Sequence, residues 1–438
     1  RAIDFGILSF LEKTGTLEKR RLLKKIGVNN LVIIFSMLIF SLFGAIFGMS
    51  EETLAFVIIF VPLAISMGYD SITGILMVYV AAHIGFSGAI INPFTIGIAQ
   101  GLSGLQLFSG FEYRLVVWMI FTALIIAITL VYAARVKKNP KLSPMYELDA
   151  YWRERESEAV KVDFAQKTPA SAWIMYIMVT AALGIFSYLH PKTTISLGGA
   201  DITFVAIPVL GVLFALTGYY TLRKSYLFFI LNILAFTIIF LVIGVLGYGW
   251  YLTEISALFL AMGIISGFSM GAGANGIAKE FIAGAKDILT AALIVGLAGG
   301  IIEVLTAGKI MDTILYSLSS TMEGTGKGAT VSIMYFIQTC INIFIPSGSA
   351  KAALTMPIMA PFSDVIGLSR QATVMAFQFG DGFTNMITPT SAVLIGALGI
   401  ARIPYEVWIK WFWKILLFFM IVGLILLMPT VYMQLNGF

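Results

Sequence analysis

The stretch from Phe377 to Gly399 constrains the fold more than any other part of the chain, because it is an apolar helical sequence with a polar middle. Pro389 removes a helical hydrogen-bond donor and clashes with the preceding turn, and Gly380 and Gly382 lower the cost of non-helical backbone. Inside a bilayer, such backbone persists only where protein or a water-filled cavity covers it. The stretch therefore predicts a discontinuous helix whose freed carbonyls and hydroxyls face a ligand.

The composition places this stretch in a membrane. Of the 438 residues, 59% are hydrophobic and only 12% are charged, whereas soluble domains average about 25% charged residues. Several apolar runs reach the roughly 20 residues that a helix needs to cross a bilayer. The sequence therefore predicts a polytopic membrane protein.

The same counts exclude other classes. The net charge of +5 requires no nucleic-acid partner, because the basic residues lie between apolar runs, where the positive-inside rule places them. The single Cys340 cannot form an intramolecular disulfide. No metal-ligand spacing, P-loop or nucleophile elbow is present, so we do not expect an enzyme. The chain begins at Arg1 without Met or a hydrophobic leader, and we expect that an N-terminal piece is missing.

We predict a first inverted repeat over residues 1–137. It begins with an amphipathic piece in residues 1–28. Apolar arms at 31–47 and 53–67 then flank a polar tip and predict a re-entrant hairpin. A span over 70–104 is broken at Asn92-Pro93, and a closing span covers 112–134. Residues 138–170 read as a cytoplasmic loop that carries a solvated helix.

A second repeat over residues 285–438 has the same order of elements. Residues 171–284 separate the two repeats as connecting scaffold helices, with spans near 171–189, 202–217, 226–248 and 254–276 and an internal loop at 278–280. The second repeat contains an amphipathic piece (309–320), hairpin arms (330–345 and 352–362), a broken helix (370–400) and a closing helix (405–435).

Together these features predict an all-α polytopic fold. It would consist of inverted-topology repeats with two re-entrant hairpins and two discontinuous helices. Asn92-Pro-Phe-Thr95 matches Thr388-Pro-Thr-Ser391. The number of spans between the repeats and the positive-inside rule together place the two repeats in opposite orientations. Such repeats build a binding site at the bilayer midplane, where the interrupted helices meet.

The polar residues of the two tips and the two breaks are the candidates for that site. Charges bracketed by apolar arms are costly in a membrane and are functional candidates by default, although a tip that reaches the headgroups would leave them in water. Helix starts after each tip favour a carboxylate ligand, whereas Glu51 and Glu52 favour an amine or a cation. Asp381 could pair with Lys351, bind a coupling ion or accept a proton. The predicted substrate-binding residues are Ser50, Glu51, Glu52, Thr53, Asn92, Thr95, Ser347, Gly348, Ser349, Lys351, Asp381, Asn385, Thr388, Thr390 and Ser391.

The two breaks could also bind sodium, with Asn92, Thr95, Asn385 and Thr388 as ligands. The alternative is an ordinary proline kink that neighbouring helices satisfy. Sodium or a proton remains open as the coupling ion, and we predict no other cofactor.

Long motifs resemble a known family. Pro346-Ser-Gly-Ser-Ala-Lys-Ala-Ala-Leu-Thr-Met-Pro-Ile-Met-Ala-Pro361, Phe377-Gln-Phe-Gly-Asp-Gly-Phe-Thr-Asn-Met-Ile-Thr-Pro-Thr-Ser391 and Asn92-Pro-Phe-Thr-Ile-Gly-Ile-Ala-Gln100 are similar to the YfcC-type branch of the C4-dicarboxylate anaerobic carrier family. The resemblance spans nearly the whole chain and extends to the wider ion transporter superfamily.

The resemblance implies a dimeric transporter with an elevator-like movement. In that superfamily, Ser-Asn-Thr tips and adjacent breaks bind substrate carboxylate and sodium, but the tips here read Ser50-Glu-Glu-Thr53 and Ser347-Gly-Ser349. Related members resemble arginine–ornithine exchangers, which suits two glutamates. We therefore expect a secondary transporter or exchanger of a cationic or zwitterionic amino acid in a bacterial cytoplasmic membrane. The alternatives are a sodium-coupled carrier of C4-dicarboxylates or other small carboxylates, a channel, and a membrane enzyme or receptor.

Overall fold

The computed structural model describes residues 27–159, 168–197, 200–250, 252–310, 313 and 325–438. The amphipathic pieces expected at 1–28 and 309–320 fall mostly outside these residues.

The first section of the chain forms two short-linked helices, an interrupted helix and one long helix. Asp70 begins the interrupted helix by accepting a hydrogen bond from the Thr73 amide (2.9 Å). The bounds are α1 Val28–Phe47, α2 Thr53–Ser66, α3 Ser71–Ile75, a π-helical segment Leu76–Val80, α4 Ala81–Gly88, a second π-helical segment Pro93–Gly97, α5 Ile98–Leu102 and α6 Phe111–Lys138.

The middle section contains helices and one β-ribbon. After a 3-10 turn at Pro140–Leu142, its elements are α7 Ala150–Ala159, α8 Ala170–Leu189, β1 Thr193–Leu197, β2 Ala200–Phe204, α9 Ala206–Lys224, α10 Tyr226–Tyr248, α11 Leu252–Ser269 and α12 Ala274–Ala307. β1 and β2 are antiparallel, with Thr193 opposite Phe204. The all-α prediction is therefore wrong at this ribbon, where the alternating Thr and Ile residues favour strands.

The last section repeats the organisation of the first. Its elements are α13 Lys327–Phe344, α14 Gly348–Val365, α15 Arg370–Thr384, α16 Ala392–Ala401, α17 Tyr405–Leu427 and α18 Pro429–Tyr432. Ser347, Ser369 and Ser391 cap the starts of α14, α15 and α16 with their hydroxyls. An N-cap hydroxyl satisfies an amide that the first turn of a helix leaves free.

Seven helices among the described residues are long and apolar enough to cross a membrane. They are Val28–Phe47, Ser71–Leu102, Phe111–Lys138, Ala170–Leu189, Ala206–Lys224, Tyr226–Gly244 and Tyr405–Tyr432. The span expected at 202–217 starts later, because β2 occupies its beginning. The loop expected at 278–280 is instead helical and lies in the second turn of α12. The re-entrant course of the two hairpins stays a prediction.

The chain divides into two compact units. Within the described residues, the connecting unit lies in 151–287, and the repeat unit lies in 27–150 and 288–438. The core of the connecting unit is aromatic: Phe214, Phe229 and Phe236 are buried together between α9 and α10. Aromatic rings supply much of the apolar area buried in such cores.

The repeat unit shows the same packing in both of its halves. α1 packs on α4 and α6 in the first half, as α13 packs on α15 and α17 in the second. The two halves also contact each other through the second arm of each hairpin. α2 of the first half packs on α16 of the second, and α14 of the second half packs on α5 of the first. At the centre α4 crosses α15, where a Cβ on Gly382 would lie 2.6 Å from Ser87 Cα. The inverted relation of the two halves stays a prediction.

Candidate functional site

The first break lies between α4 and the π-helical segment that begins at Pro93. Ala89 ends α4 in the left-handed region, with φ 34°. Asn92 then caps the next segment, because its Oδ1 accepts hydrogen bonds from the Phe94 amide (2.9 Å) and the Thr95 amide (3.3 Å). Its Nδ2 donates to the Gly44 carbonyl near the end of α1 (3.2 Å). The Asn92 side chain therefore ties the break to the hairpin before it.

Arg114 of α6 donates hydrogen bonds to the carbonyls that this break leaves without helical partners. Its Nε lies 3.0 Å from the Ala89 carbonyl oxygen, and its second terminal nitrogen lies 3.2 Å from the Ile90 carbonyl oxygen. The guanidinium also donates to the carbonyls of Phe108 (3.1 Å) and Ser109 (2.7 Å). The side chain is fully buried. A guanidinium has five donors and no acceptor, so it can satisfy several unpaired carbonyls at once.

The second break follows α15, and aromatic side chains donate hydrogen bonds to its carbonyls. The Tyr79 hydroxyl donates to the Asn385 carbonyl (2.7 Å), the Trp408 indole to that of Met386 (2.9 Å) and the Tyr405 hydroxyl to that of Ile387 (2.7 Å). Each of these three carbonyls thus already has a protein donor, and the expected contact with a ligand stays a prediction. Protein donors take them, because a buried carbonyl without a partner is costly.

Polar side chains of the second break also bond within the protein. The Thr388 and Thr390 hydroxyls both donate to the Ile343 carbonyl near the end of α13, at 3.1 and 2.6 Å. The matched motif of the first repeat does the same through Asn92 and Gly44. In each repeat, then, the residue before the proline anchors the break to the first arm of the preceding hairpin.

Arg114 and Trp408 occupy the same place in the two repeats. Each is the fourth residue of its closing helix, since α6 begins at Phe111 and α17 begins at Tyr405. Arg114 donates to two carbonyls of its own break, Ala89 and Ile90, and Trp408 donates its indole N–H to one, Met386. Sequence reasoning missed both residues. The signal for Arg114 was present, because an arginine inside an apolar span is costly unless it has a structural or functional partner.

The first tip places two glutamates beside the interrupted helix. Glu52 is buried, and its Oε2 accepts the Ser50 amide (3.1 Å). The Ser50 hydroxyl lies 3.4 Å from His83 Nε2, and the Thr53 hydroxyl donates back to the Ser50 carbonyl (2.5 Å). Glu51 is partly exposed. These contacts fold the tip back on itself and direct it towards α4.

Tyr79 links the first tip to the second break. Its hydroxyl donates to the Asn385 carbonyl at the start of that break, and Ser391 ends the break as the cap of α16. Four residues after Tyr79, His83 Nε2 lies 3.4 Å from the Ser50 hydroxyl of the first tip. The acidic tip of the first repeat therefore lies near the break of the second. Sequence spacing alone could not show this pairing, because Tyr79 and Asn385 are far apart in the chain.

The second tip forms a buried ion pair. Lys351 Nζ lies 3.1 Å from Asp381 Oδ1, and both side chains are fully buried. The ammonium also lies 4.7 Å from the centre of the Phe377 ring. A Cβ on Gly348 would lie 2.8 Å from Thr95 Cγ2 and 3.1 Å from Asp381 Oδ2. The tip of the second repeat therefore contacts the break of the first, while Ser347 and Ser349 are exposed.

Asn385 connects the two tips. Its Oδ1 accepts from Asn342 Nδ2 (2.9 Å), its Nδ2 lies 3.5 Å from Asp381 Oδ2, and its carbonyl accepts from Tyr79. Asp381 itself lies within α15, one turn before the break. We call this connected set the polar centre. Its members are Ser50, Glu51, Glu52, Tyr79, His83, Thr95, Asn342, Gly348, Lys351, Asp381, Asn385 and Ser391.

An exposed ion pair lies at the other end of α15. Arg370 donates to both carboxylate oxygens of Asp364 and to the Ser103 carbonyl (2.6 Å) after α5. Hydrogen bonding from the Arg370 guanidinium lowers the pKa of the Asp364 carboxyl. This contact joins the α14–α15 connection to the first repeat outside the polar centre.

Two repeated helical halves, with interrupted helices and buried charges in one polar centre, define a multi-pass membrane protein of the transporter class. The family described as the C4-dicarboxylate anaerobic carrier, DcuC, matches residues 5–432. The chain therefore belongs to that family, and the resemblance inferred from its motifs is confirmed.

Two relatives are similar over most of the chain. YfcC of Escherichia coli (strain K12), provisionally named as a basic amino acid antiporter, is 34% identical over 92% of this chain and 71% of its own length. An uncharacterised protein of Haemophilus influenzae is 27% identical over 97% of this chain and 73% of its own length.

Two solved transporter structures were also matched. The YdaH transporter of Alcanivorax borkumensis has a TM-score of 0.41 and 18% identity, covering 90% of this chain and 77% of its own. MtrF of Neisseria gonorrhoeae has a TM-score of 0.41 and 16% identity, covering 94% and 76%.

Proposed function

We propose that this protein is a secondary active transporter or exchanger of a small cationic or zwitterionic amino acid, such as arginine or ornithine. The substrate would lie in the polar centre, between the two tips and the two breaks. The provisional name of the relative in E. coli supports the same substrate class.

The observation that carries this proposal is the pair of adjacent glutamates at the first tip. Among the described residues, neither Glu51 nor Glu52 forms an ion pair with a basic side chain. Glu52 is buried and Glu51 is partly covered. Two close carboxylates in such a setting repel each other and lose hydration, so a cationic group bound beside them would lower the energy of both. An ammonium or guanidinium of the substrate supplies that charge.

The second tip suits the other end of an amino acid. Lys351 pairs with Asp381, so we assign the substrate carboxylate to the amides at the start of α14. Helix starts favour carboxylates. A zwitterion would then place its carboxylate towards the second tip and its cationic group towards the first.

Transport would follow the two units of the chain. We propose that the repeat unit carries the substrate in an elevator-like movement, with 1–137 and 285–438 as inverted repeats that each contain a re-entrant hairpin. Residues 171–284 would form the scaffold of a homodimer in a bacterial cytoplasmic membrane, and 138–170 a cytoplasmic loop. The exchange of α2 and α14 between the repeats supports one moving body.

A ligand panel on purified protein tests the substrate. Arginine, ornithine, neutral amino acids, succinate and malate are each added with and without sodium. A ligand at a hundred times its Kd stabilises by about 2.7 kcal/mol. We expect arginine or ornithine to raise the melting temperature, and Glu51→Gln or Glu52→Gln to weaken that binding by at least about tenfold.

Glu406→Gln is the matched control, because Glu406 is an exposed glutamate on α17. It should bind the amino acid as the parent protein does. Unchanged affinity in both tip variants would refute the role of the glutamates.

The second candidate is a sodium-coupled C4-dicarboxylate carrier, which the name of the family favours. In that case succinate or malate would stabilise the protein only with sodium, and no amino acid would do so. The predicted sodium ligands Asn92, Thr95, Asn385 and Thr388 stay a prediction within this candidate.

A further inference from the structure

The Lys351–Asp381 pair lies where three elements of the repeat unit meet. Lys351 is on α14, Asp381 is on α15, and Thr95 of the first break faces the same point across Gly348. Both charged side chains have no exposed surface. An uncompensated charge there would be strongly destabilising, so each member of the pair requires the other or a substitute.

Several polar atoms beside the ion pair lack hydrogen-bond partners. Among the described residues, Thr95 Oγ1 and Asn342 Oδ1 are buried without a partner, and Asp381 Oδ1 has no contact besides the ion pair. Lys351 Nζ itself makes no hydrogen bond there, and its described contacts are Asp381 and the Phe377 ring. A hydroxyl, an amide oxygen and a carboxylate beside interrupted helices form the kind of oxygen set that holds sodium in transporters. Here the positive charge in that set comes from the polypeptide.

The other predicted sodium ligands are already engaged. The Asn92 side chain bonds backbone groups of its own repeat through both of its polar atoms. The Thr388 hydroxyl donates to the Ile343 carbonyl. Of the four predicted ligands, only Thr95 has a side-chain oxygen without a partner in the described structure.

We propose that the Lys351 ammonium is a tethered cation, which occupies the position of a bound monovalent cation between the second tip and the first break and makes this protein independent of sodium. Removal of the ammonium should leave Asp381 as the main ligand of a vacant cation site, open to sodium from solution. The expectation that transport needs no sodium rests on the proposed exchange function. The expectation that sodium binds once the ammonium is removed does not rest on it, so the two expectations can fail separately.

The test measures thermal stability in sodium chloride and in choline chloride at equal ionic strength, without substrate. The parent protein should melt at the same temperature in both salts. Lys351→Ala should melt lower in choline chloride and be raised by sodium by at least about 3 °C, with saturation. Lys351→Ser should respond likewise, because its hydroxyl adds an oxygen ligand.

Two further variants identify the site. Lys351→Ala combined with Asp381→Asn should lose the sodium response, because the carboxylate is gone. Lys414→Ala removes an exposed ammonium from α17 and should show no sodium response at all.

Three outcomes overturn the proposal. The first is a saturable, sodium-specific stabilisation of the parent protein. The second is a Lys351→Ala or Lys351→Ser protein that melts identically in both salts. The third is that both variants yield no folded protein in either salt, which would show that sodium cannot replace the ammonium. Failure of the amino-acid panel with a positive sodium result would refute the proposed substrate alone.

Discussion

Arg114 is a buried guanidinium that bonds four backbone carbonyls and forms no ion pair with an acidic residue in the described structure. Replacement by methionine keeps the length of the side chain but leaves these carbonyls without donors. Each buried group that loses its partner costs roughly 1–3 kcal/mol. We therefore expect Arg114→Met to lower the free energy of unfolding by at least about 3 kcal/mol, measured by thermal denaturation in detergent.

Arg135→Met on the same helix is the control, because Arg135 is exposed at the end of α6. It should change stability by less than about 0.5 kcal/mol. Equal stability of both variants would mean that Arg114 does not hold the first break. Arg114→Lys should be intermediate, because an ammonium has three donors and lacks the planar fork of the guanidinium.

For single residues, the sequence showed which charged and polar side chains matter, but it did not show which groups they bond. The Lys351–Asp381 pair was one of three alternatives, and burial of both side chains selects it. Tyr79, Tyr405 and Trp408 were missed, because an aromatic residue in an apolar span carries no sequence signal that its polar atom bonds a distant carbonyl. Such partners depend on tertiary contacts that span much of the chain.

Helix crossings in the repeat unit depend on small residues. Gly382 of α15 lies against the backbone of Ser87, and an added Cβ would be 2.7 Å from the Ser87 amide nitrogen. Since that neighbour is backbone, it cannot rotate away. We expect Gly382→Ala to destabilise the protein by about 1–3 kcal/mol and to reduce transport, measured by melting temperature and uptake in parallel.

Gly284→Ala is the matched change in an open helical position, because no atom lies within 4 Å of an added Cβ there. It should be neutral or stabilising by up to about 1 kcal/mol, since alanine favours helix. A Gly382→Ala protein as stable as Gly284→Ala would show that α4 and α15 are not closely packed.

Among the helices, hydropathy predicted the positions of the long apolar segments well, and it predicted the exact helix boundaries less well. The expected span at 226–248 coincides with α10, and the expected pieces of both hairpins and both breaks are present. Elsewhere, polar residues led to wrong predictions of where helices are interrupted. Lys279 and Glu280 suggested a loop but lie in the first turns of α12, because charged residues are tolerated at an exposed helix start. Gly380 and Gly382 suggested non-helical backbone but provide close packing inside α15.

For the whole molecule, the exchange of arms between the repeats predicts that the repeat unit moves as one body. An added Cβ on Gly396 would lie 3.3 Å from a Leu54 methyl group, which joins α16 to α2. In a Cys340→Ser background, Leu54→Cys with Gly396→Cys should be joined by a short bifunctional thiol reagent. Transport should then remain within about twofold of the unlinked protein.

Consumption of both thiols without a dimer on a denaturing gel would verify the link, and each single cysteine variant is its control. Loss of transport on linking would show that α2 and α16 separate during the cycle. The repeated order of elements was visible in the sequence, because two matched proline breaks mark it. The contacts of α2 with α16 and of α14 with α5 were not visible in the sequence. Hydropathy shows which residues are apolar, but it does not show which helix they contact.

The hydrogen bonds of the two breaks also bear on the order of membrane insertion. The first break is closed by Arg114 and Gly44 of its own repeat, so the first half of the chain can satisfy its carbonyls as soon as α6 has left the translocon. The second break needs the Tyr79 hydroxyl, from a helix made 306 residues earlier. Tyr405 and Trp408 of its own half satisfy the other two carbonyls, so we expect the second break to be completed only once the first half of the chain is in place.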